Sequence, residues 1–178
     1  MNFLFTRLLP GMCCLLVLHG AYASGRWQEQ LPNAQLLGAG DFRFFGVPVY
    51  SAQLWSTTPQ LTVRAPYALQ LRYHRSISRE RLVQTSLDEM RRLGVEAPTQ
   101  TEWVEWRQAL QRSFVDVQPG DVITGVFLPD RGVQFYVGER AQQEILDPSF
   151  AQAFFAIWLD PQTRAPALRE QLLGIALP

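Results

Sequence analysis

Two side chains able to grip an anion flank Gly46: Arg43 and Tyr50, seven residues apart. A guanidinium is a planar fork of donors that keeps its charge, and a phenol adds one more donor, so the pair suits a carboxylate. Around them, along Leu36–Trp55, apolar residues alternate with others on both sides of Gly46, which predicts an antiparallel hairpin. The loop is either a two-residue type II′ turn at Gly46-Val47 or a four-residue turn over Phe45–Pro48. The second spares Pro48, which has no N–H, from donating a ladder bond. Either loop sets Arg43 opposite Tyr50 on one face, among Phe45, Ala39, Ala52 and Leu54. A cation in such surroundings needs a partner. It is either ion-paired with Asp41 or exposed on a rim, or it holds an anion under an apolar roof.

Little other chemistry is available. All 16 basic residues are arginine, and the two cysteines, Cys13 and Cys14, lie near the start of the chain. That start reads as a secretory signal over residues 1–23: Arg7, an apolar Leu8–Leu18 core too short to span a bilayer, and an Ala21-Tyr22-Ala23 cleavage site. Neither cysteine has the small-residue setting of a lipoprotein anchor; a retained anchor is the alternative. The mature chain, 24–178, is then periplasmic or secreted, does not span the membrane, and has the size of a single domain. It carries no thiol and no amine side chain, which rules out a Cys nucleophile, a disulfide and a Schiff-base lysine. His74 is its one histidine, so neither a multi-His nor a Cys zinc site can be assembled, and no metal is expected. No Gly-x-Ser-x-Gly turn and no Walker loop occurs, and Gly38-x-Gly40 lacks the third glycine of a dinucleotide fingerprint. No cofactor is therefore expected. Formal net charge is zero with no basic cluster, which argues against nucleic acid.

The elements that must position Arg43 and Tyr50 can be read in order. Residues 24–35 form a polar lead-in arm. After the hairpin, residues 61–65 and 67–75 are predicted strands; in the second, Tyr67, Leu69, Leu71 and Tyr73 face one way and His74 the other, polar way. Ser78 caps a helix to Leu93, with Ile77 and Leu82 as a staple, Leu82, Val83, Leu87 and Met90 inward, and Gly94 as the stop. Thr99 and Glu102 form a capping box, and Trp103, Trp106, Leu110 and Phe114 a helical stripe best read as core. A second hairpin spans 122–128 and 133–137 around Pro129–Gly132, with a short strand over 142–146. Asp147 and Pro148 open a helix with Phe150, Phe154, Ile157 and Trp158 inward, and a last helix from Pro166 buries Leu168, Leu172 and Leu173. This is an α+β domain, an antiparallel sheet of six or seven strands with helices on one face.

Several segments resemble the exported bacterial branch of the chalcone isomerase-like family: GAGDFRFFGVPVYSAQLW, LDEMRRLG, VQPGDVITGVFLPDRGVQFYV and DPSFAQAFFAIWLDPQTRAPALREQLLG. The resemblance covers nearly all of 24–178 and implies an open-faced antiparallel β-sandwich, with a helical layer enclosing an apolar cleft. Plant enzymes of the family close a flavanone ring with a hairpin arginine, a threonine on the second strand, and a tyrosine, lysine and asparagine on the following helix. Here Arg43 matches the arginine, Tyr50 stands in the threonine's place, and the helix SRERLVQTSLDEM has no tyrosine, lysine or asparagine. The Arg-Tyr pair resembles instead the fatty-acid-binding relatives, where the two groups take the ligand carboxylate. The resemblance thus implies an exported, non-catalytic domain binding a small apolar acid through Arg43 and Tyr50, with no catalytic residue. Two alternatives stand beside it: an isomerase or intramolecular lyase acting on a phenolic substrate, and a structural or interaction protein whose cleft is filled by its own side chains.

Export has a direct readout. N-terminal sequencing of the protein recovered from the cell envelope is expected to begin at Ser24; a chain beginning at Met1 would contradict it.

Overall fold

Six antiparallel strands lie side by side in the order in which they occur along the chain. The computed structural model describes residues 26–94 and 99–175; the expected signal over 1–23 lies outside the described residues. β1 (Gln35–Phe44) and β2 (Val47–Ser56) form the first hairpin and β3 (Tyr67–Tyr73) pairs with β2. Two helices, α2 (Arg79–Leu93) and α3 (Gln100–Ser113), then precede β4 (Val122–Leu128), β5 (Gly132–Val137) and β6 (Arg140–Ala141). α4 (Pro148–Leu159) and α5 (Pro166–Leu172) complete the helical layer.

The alternation of side chains decides which face the helices cover. Ala52, Leu54, Tyr67, Leu69, Leu71, Tyr73, Ile123, Phe127, Val133 and Phe135 point to the helices and are buried there with α2, α3, α4 and α5. The helix ends follow the caps written in the sequence. Ser78 accepts from Arg81 N–H, Thr99 and Glu102 close a capping box, and Asp147 accepts from Phe150 N–H with Pro148 in the first turn. Gly94 ends α2 at φ 64°, a left-handed conformation that glycine adopts without penalty.

Four expectations are corrected. The polar arm contains a short helix, α1 (Trp27–Gln30), whose Trp27, with Leu31, is buried against Ala68, Val126 and Tyr136 on the sheet's other face. Residues 61–65 form no strand, although Val63 is β-branched, because no neighbouring chain pairs with them. The edge strand is β6 at 140–141; of 142–146, Ile145 makes a lone bridge to Val133. The first loop is Phe45-Gly46, both at positive φ (47° and 79°), the signature of a type I′ turn, whose twist matches a hairpin better than types I or II do.

β1 is held down by α5. A Cβ added at Gly38 would lie 2.0 Å from the Gln171 carbonyl oxygen, which is backbone and cannot yield; at Gly40 the nearest atom is the end of the Gln171 side chain. Gly38→Ala is therefore expected to lower stability by at least about 1–3 kcal/mol and Gly40→Ala by less. Urea midpoints of the two variants check this.

Candidate functional site

Tyr50 sits where β2 faces the helices. Its ring stacks on Phe42 (centroids 5.1 Å, 21° between planes) and meets Tyr73 edge-on at 6.1 Å. Its hydroxyl accepts a hydrogen bond from the Trp158 indole N–H near the end of α4, 2.9 Å away. That leaves the phenol its own proton to donate. Burial is the main cause that pushes the Tyr50 pKa upward; the Trp158 bond opposes it and the negative charge of Glu89 adds to it. The neighbouring Tyr73 phenol is pushed up by burial as well. Both are neutral donors at physiological pH, not bases.

Arg43 is not beside it. The ladder pairs Phe42 with Tyr50 and then Arg43 with Pro48, so β2 carries one extra residue at a bulge. Pro48, lacking an N–H, stands at the slip, and the Val49 carbonyl accepts from the N–H of His74, the residue just after β3 (2.9 Å). One inserted residue is enough to change faces. The Arg43 guanidinium lies on the face away from the helices, 56% exposed, 3.8 Å from Asp41 and 3.3 Å from the Gly46 carbonyl oxygen it donates to. The sequence register that set Arg43 opposite Tyr50 is thus corrected, and the ion pair with Asp41 is the reading of Arg43 that the geometry matches. On the same outer face Ser51 Oγ lies 2.7 Å from Asp41 Oδ1 and 2.7 Å from His74 Nε2. His74 is exposed there. With its single proton given to Asp41, Ser51 accepts from His74, so this chain does not prepare a serine nucleophile.

The seam between sheet and helices is occupied by rings. Trp106, Phe150, Phe154 and Trp158 follow one another at centroid spacings of 5.4, 5.8 and 5.3 Å. Tyr67, Phe127 and Phe155 form a second cluster, with Tyr67 and Phe127 stacked at 4.7 Å. A surface recess of about 270 Å3 opens instead between the end of α3 and residues 143–146, bounded by Arg112, Glu144 and Leu146, and shares no lining residue with the Tyr50 site. Among the described residues no three His, Cys, Asp or Glu side chains come together in a way that could hold a metal ion.

A family model described as chalcone isomerase-like matches residues 26–174. The chain belongs to the chalcone isomerase-like family. This chalcone isomerase-like domain is 30% identical, over 142 residues, to an uncharacterized protein of Haemophilus influenzae, covering 79% of this chain and 68% of that one. Its fold is similar to the crystal structure of a fatty-acid binding protein of Arabidopsis thaliana, with a TM-score of 0.61 and 10% identity over 80% of this chain and 87% of that chain. That agreement is one of fold: an open antiparallel sheet with helices on one face, as expected from the sequence.

Sequence reasoning singled out Tyr50 but neither Trp158 as its hydrogen-bond partner nor Glu89, whose charge acts on the phenol and which itself holds two arginines. Glu89 and Arg92 are one helical turn apart, a legible pair, with Arg92 Nε donating to Glu89 Oε2 at 2.9 Å. Arg164 reaches the other oxygen, Oε1, at 2.8 Å from a distant loop, and nothing in the sequence announces it.

The buried phenols give this chalcone isomerase-like domain an alkaline limit. Tyr50, Tyr67 and Tyr73 are raised in the folded state, while an unfolded tyrosine titrates near about pH 10. The stability they contribute is complete below that pH and is lost as pH rises above it. Urea midpoints are expected to hold up to about pH 9.5 and fall steeply beyond, with the folded protein's phenolate absorbance lagging that of the unfolded chain.

Proposed function

We propose that the protein is an exported, non-catalytic domain that binds a small apolar acid in the seam between the sheet and α4, with the acid group at Tyr50. The observation that carries this reading is the Tyr50–Trp158 pair. It is a polar spot in an otherwise aromatic seam, and its phenol keeps a proton to donate and stays neutral because burial raises its pKa. The fold shared with a plant fatty-acid binding protein supports the ligand class. Against catalysis stands the chemistry of the seam: α2 brings no tyrosine, lysine or asparagine, and the nearby phenols are held far from a pH at which they could move a proton. The site residues read from the sequence divide on this reading. Tyr50 stays at the ligand and Arg43 does not reach it.

The packed rings favour a second reading, a structural or interaction domain whose seam needs no ligand. An entering alkyl chain gains roughly 0.8 kcal/mol per buried methylene but must first part aromatic contacts of similar size.

Native mass spectrometry of the purified mature protein, before and after addition of decanoic acid, separates the readings. A 1:1 complex, retained in part by protein taken straight from the envelope, is expected. If no straight-chain acid of eight to eighteen carbons binds, the seam is structural and the binding proposal is wrong. Incubation with an open-ring chalcone is expected to give no cyclisation above background; turnover would restore the enzyme reading.

A further inference from the structure

The register leaves the acid group at Tyr50 without the cation that the sequence had offered. The structure supplies others on the helical side. Trp158, which donates to the Tyr50 hydroxyl, is the next-to-last residue of α4, and the connector that follows Leu159 meets the end of α2. Arg92, in the last turn of α2, donates to the Gln162 carbonyl on that connector at 3.0 Å and to Glu89 at 2.9 Å. Arg164, on the same connector, pairs with the other oxygen of Glu89 at 2.8 Å. Arg169 of α5 ties the connector's start by donating to the Leu159 carbonyl at 2.7 Å. Glu89 is thus largely enclosed, 15% exposed, with one arginine on each oxygen.

Two cations therefore share one carboxylate, and a positive charge is left over. The contacts named use two of the five N–H donors of Arg92 and one nitrogen of Arg164. Arg164 is 67% exposed and meets Glu89 through Nε. Glu89, which carries both guanidiniums, is near enough to Tyr50 for its charge to act on the phenol, and two oriented guanidiniums with spare donors make a better carboxylate seat than either alone, because the incoming charge meets donors already fixed in place.

We propose that Arg92 and Arg164, fixed by Glu89, form the cationic half of the acid-binding site whose neutral half is Tyr50. The ligand is then a monocarboxylic acid, its single charge neutralising the surplus. This rests on the binding reading above and replaces Arg43 as the charge partner. Glu89 is a positioning residue: it aims the two arginines and, being negative itself, weakens the hold on the acid.

The test compares decanoic acid with 1-decanol, each displacing a fluorescent apolar probe from the purified chain. Arg164→Ala is expected to weaken the acid about tenfold or more while leaving the alcohol within about twofold. Arg92→Gln should do the same. Glu89→Gln keeps an acceptor for the arginines and removes the competing charge, so the acid should bind several-fold tighter and the alcohol unchanged. Arg43→Ala should alter neither ligand. If the wild type binds decanoic acid but the acid-to-alcohol ratio is the same in Arg164→Ala and Arg92→Gln, the cluster is only a staple of the connector and this inference is wrong while the binding reading survives. Loss of acid preference in Arg43→Ala alone would also overturn it. A wild type that binds no acid overturns both. Thermal melts of each variant separate unfolding from loss of binding, since a variant that merely loosens the connector loses acid and alcohol together.

Discussion

The way α4 lies on the sheet governs the rest of the molecule. Phe150, Ala151, Ala153, Phe154, Phe155 and Trp158 are all buried, so the helix is apolar on most of its circumference and needs neighbours all round. The sheet makes room at Gly125, where an added Cβ would sit 3.2 Å from the Phe155 ring. Each buried phenylalanine contributes about 1.5–3 kcal/mol, and edge-on ring pairs add about 0.5–1.5 kcal/mol each. Asp147 fixes the start of the helix twice over, capping Phe150 N–H and accepting the Trp106 indole N–H at 2.8 Å. With both its start and its face set, α4 delivers Trp158 to Tyr50 and launches the connector that carries Arg164. The polar site is a by-product of aromatic packing.

Most of the fold was legible because its signals are local. The caps at Ser78, Thr99 and Asp147, the stop at Gly94, and the alternation in Tyr67–Tyr73 all act within a turn of the chain, and each element they announced is present. Trp27 was overlooked because one aromatic residue among polar neighbours carries no period; only the apolar outer patch of Ala68, Val126 and Tyr136 explains its burial. Residues 61–65 show the converse, a strand-like composition with no strand beside it.

The site was legible only in part, and the reason is geometric. Alternation has no memory across a bulge: a single extra residue near Pro48 leaves the apolar pattern of β2 intact and moves Arg43 to the other face. Tyr50 survived because it lies on the regular side of the slip, in register with Tyr73 of β3. Arg164 could not have been found, since its place over Glu89 depends on the path of a connector and not on any spacing.

The contact between α5 and β1 has a kinetic side. Gly38 is pressed by the backbone of Gln171 and Leu172, so the first strand of the sheet is finished only by the last helix of the domain. Closing so long a loop is slow compared with forming the adjacent-strand meander, whose pairings are all between sequence neighbours except across α2 and α3. During synthesis β1 therefore waits without its covering helix until α5 arrives. The chain stays pliable for as long as it is incomplete, and locks once its tail is delivered.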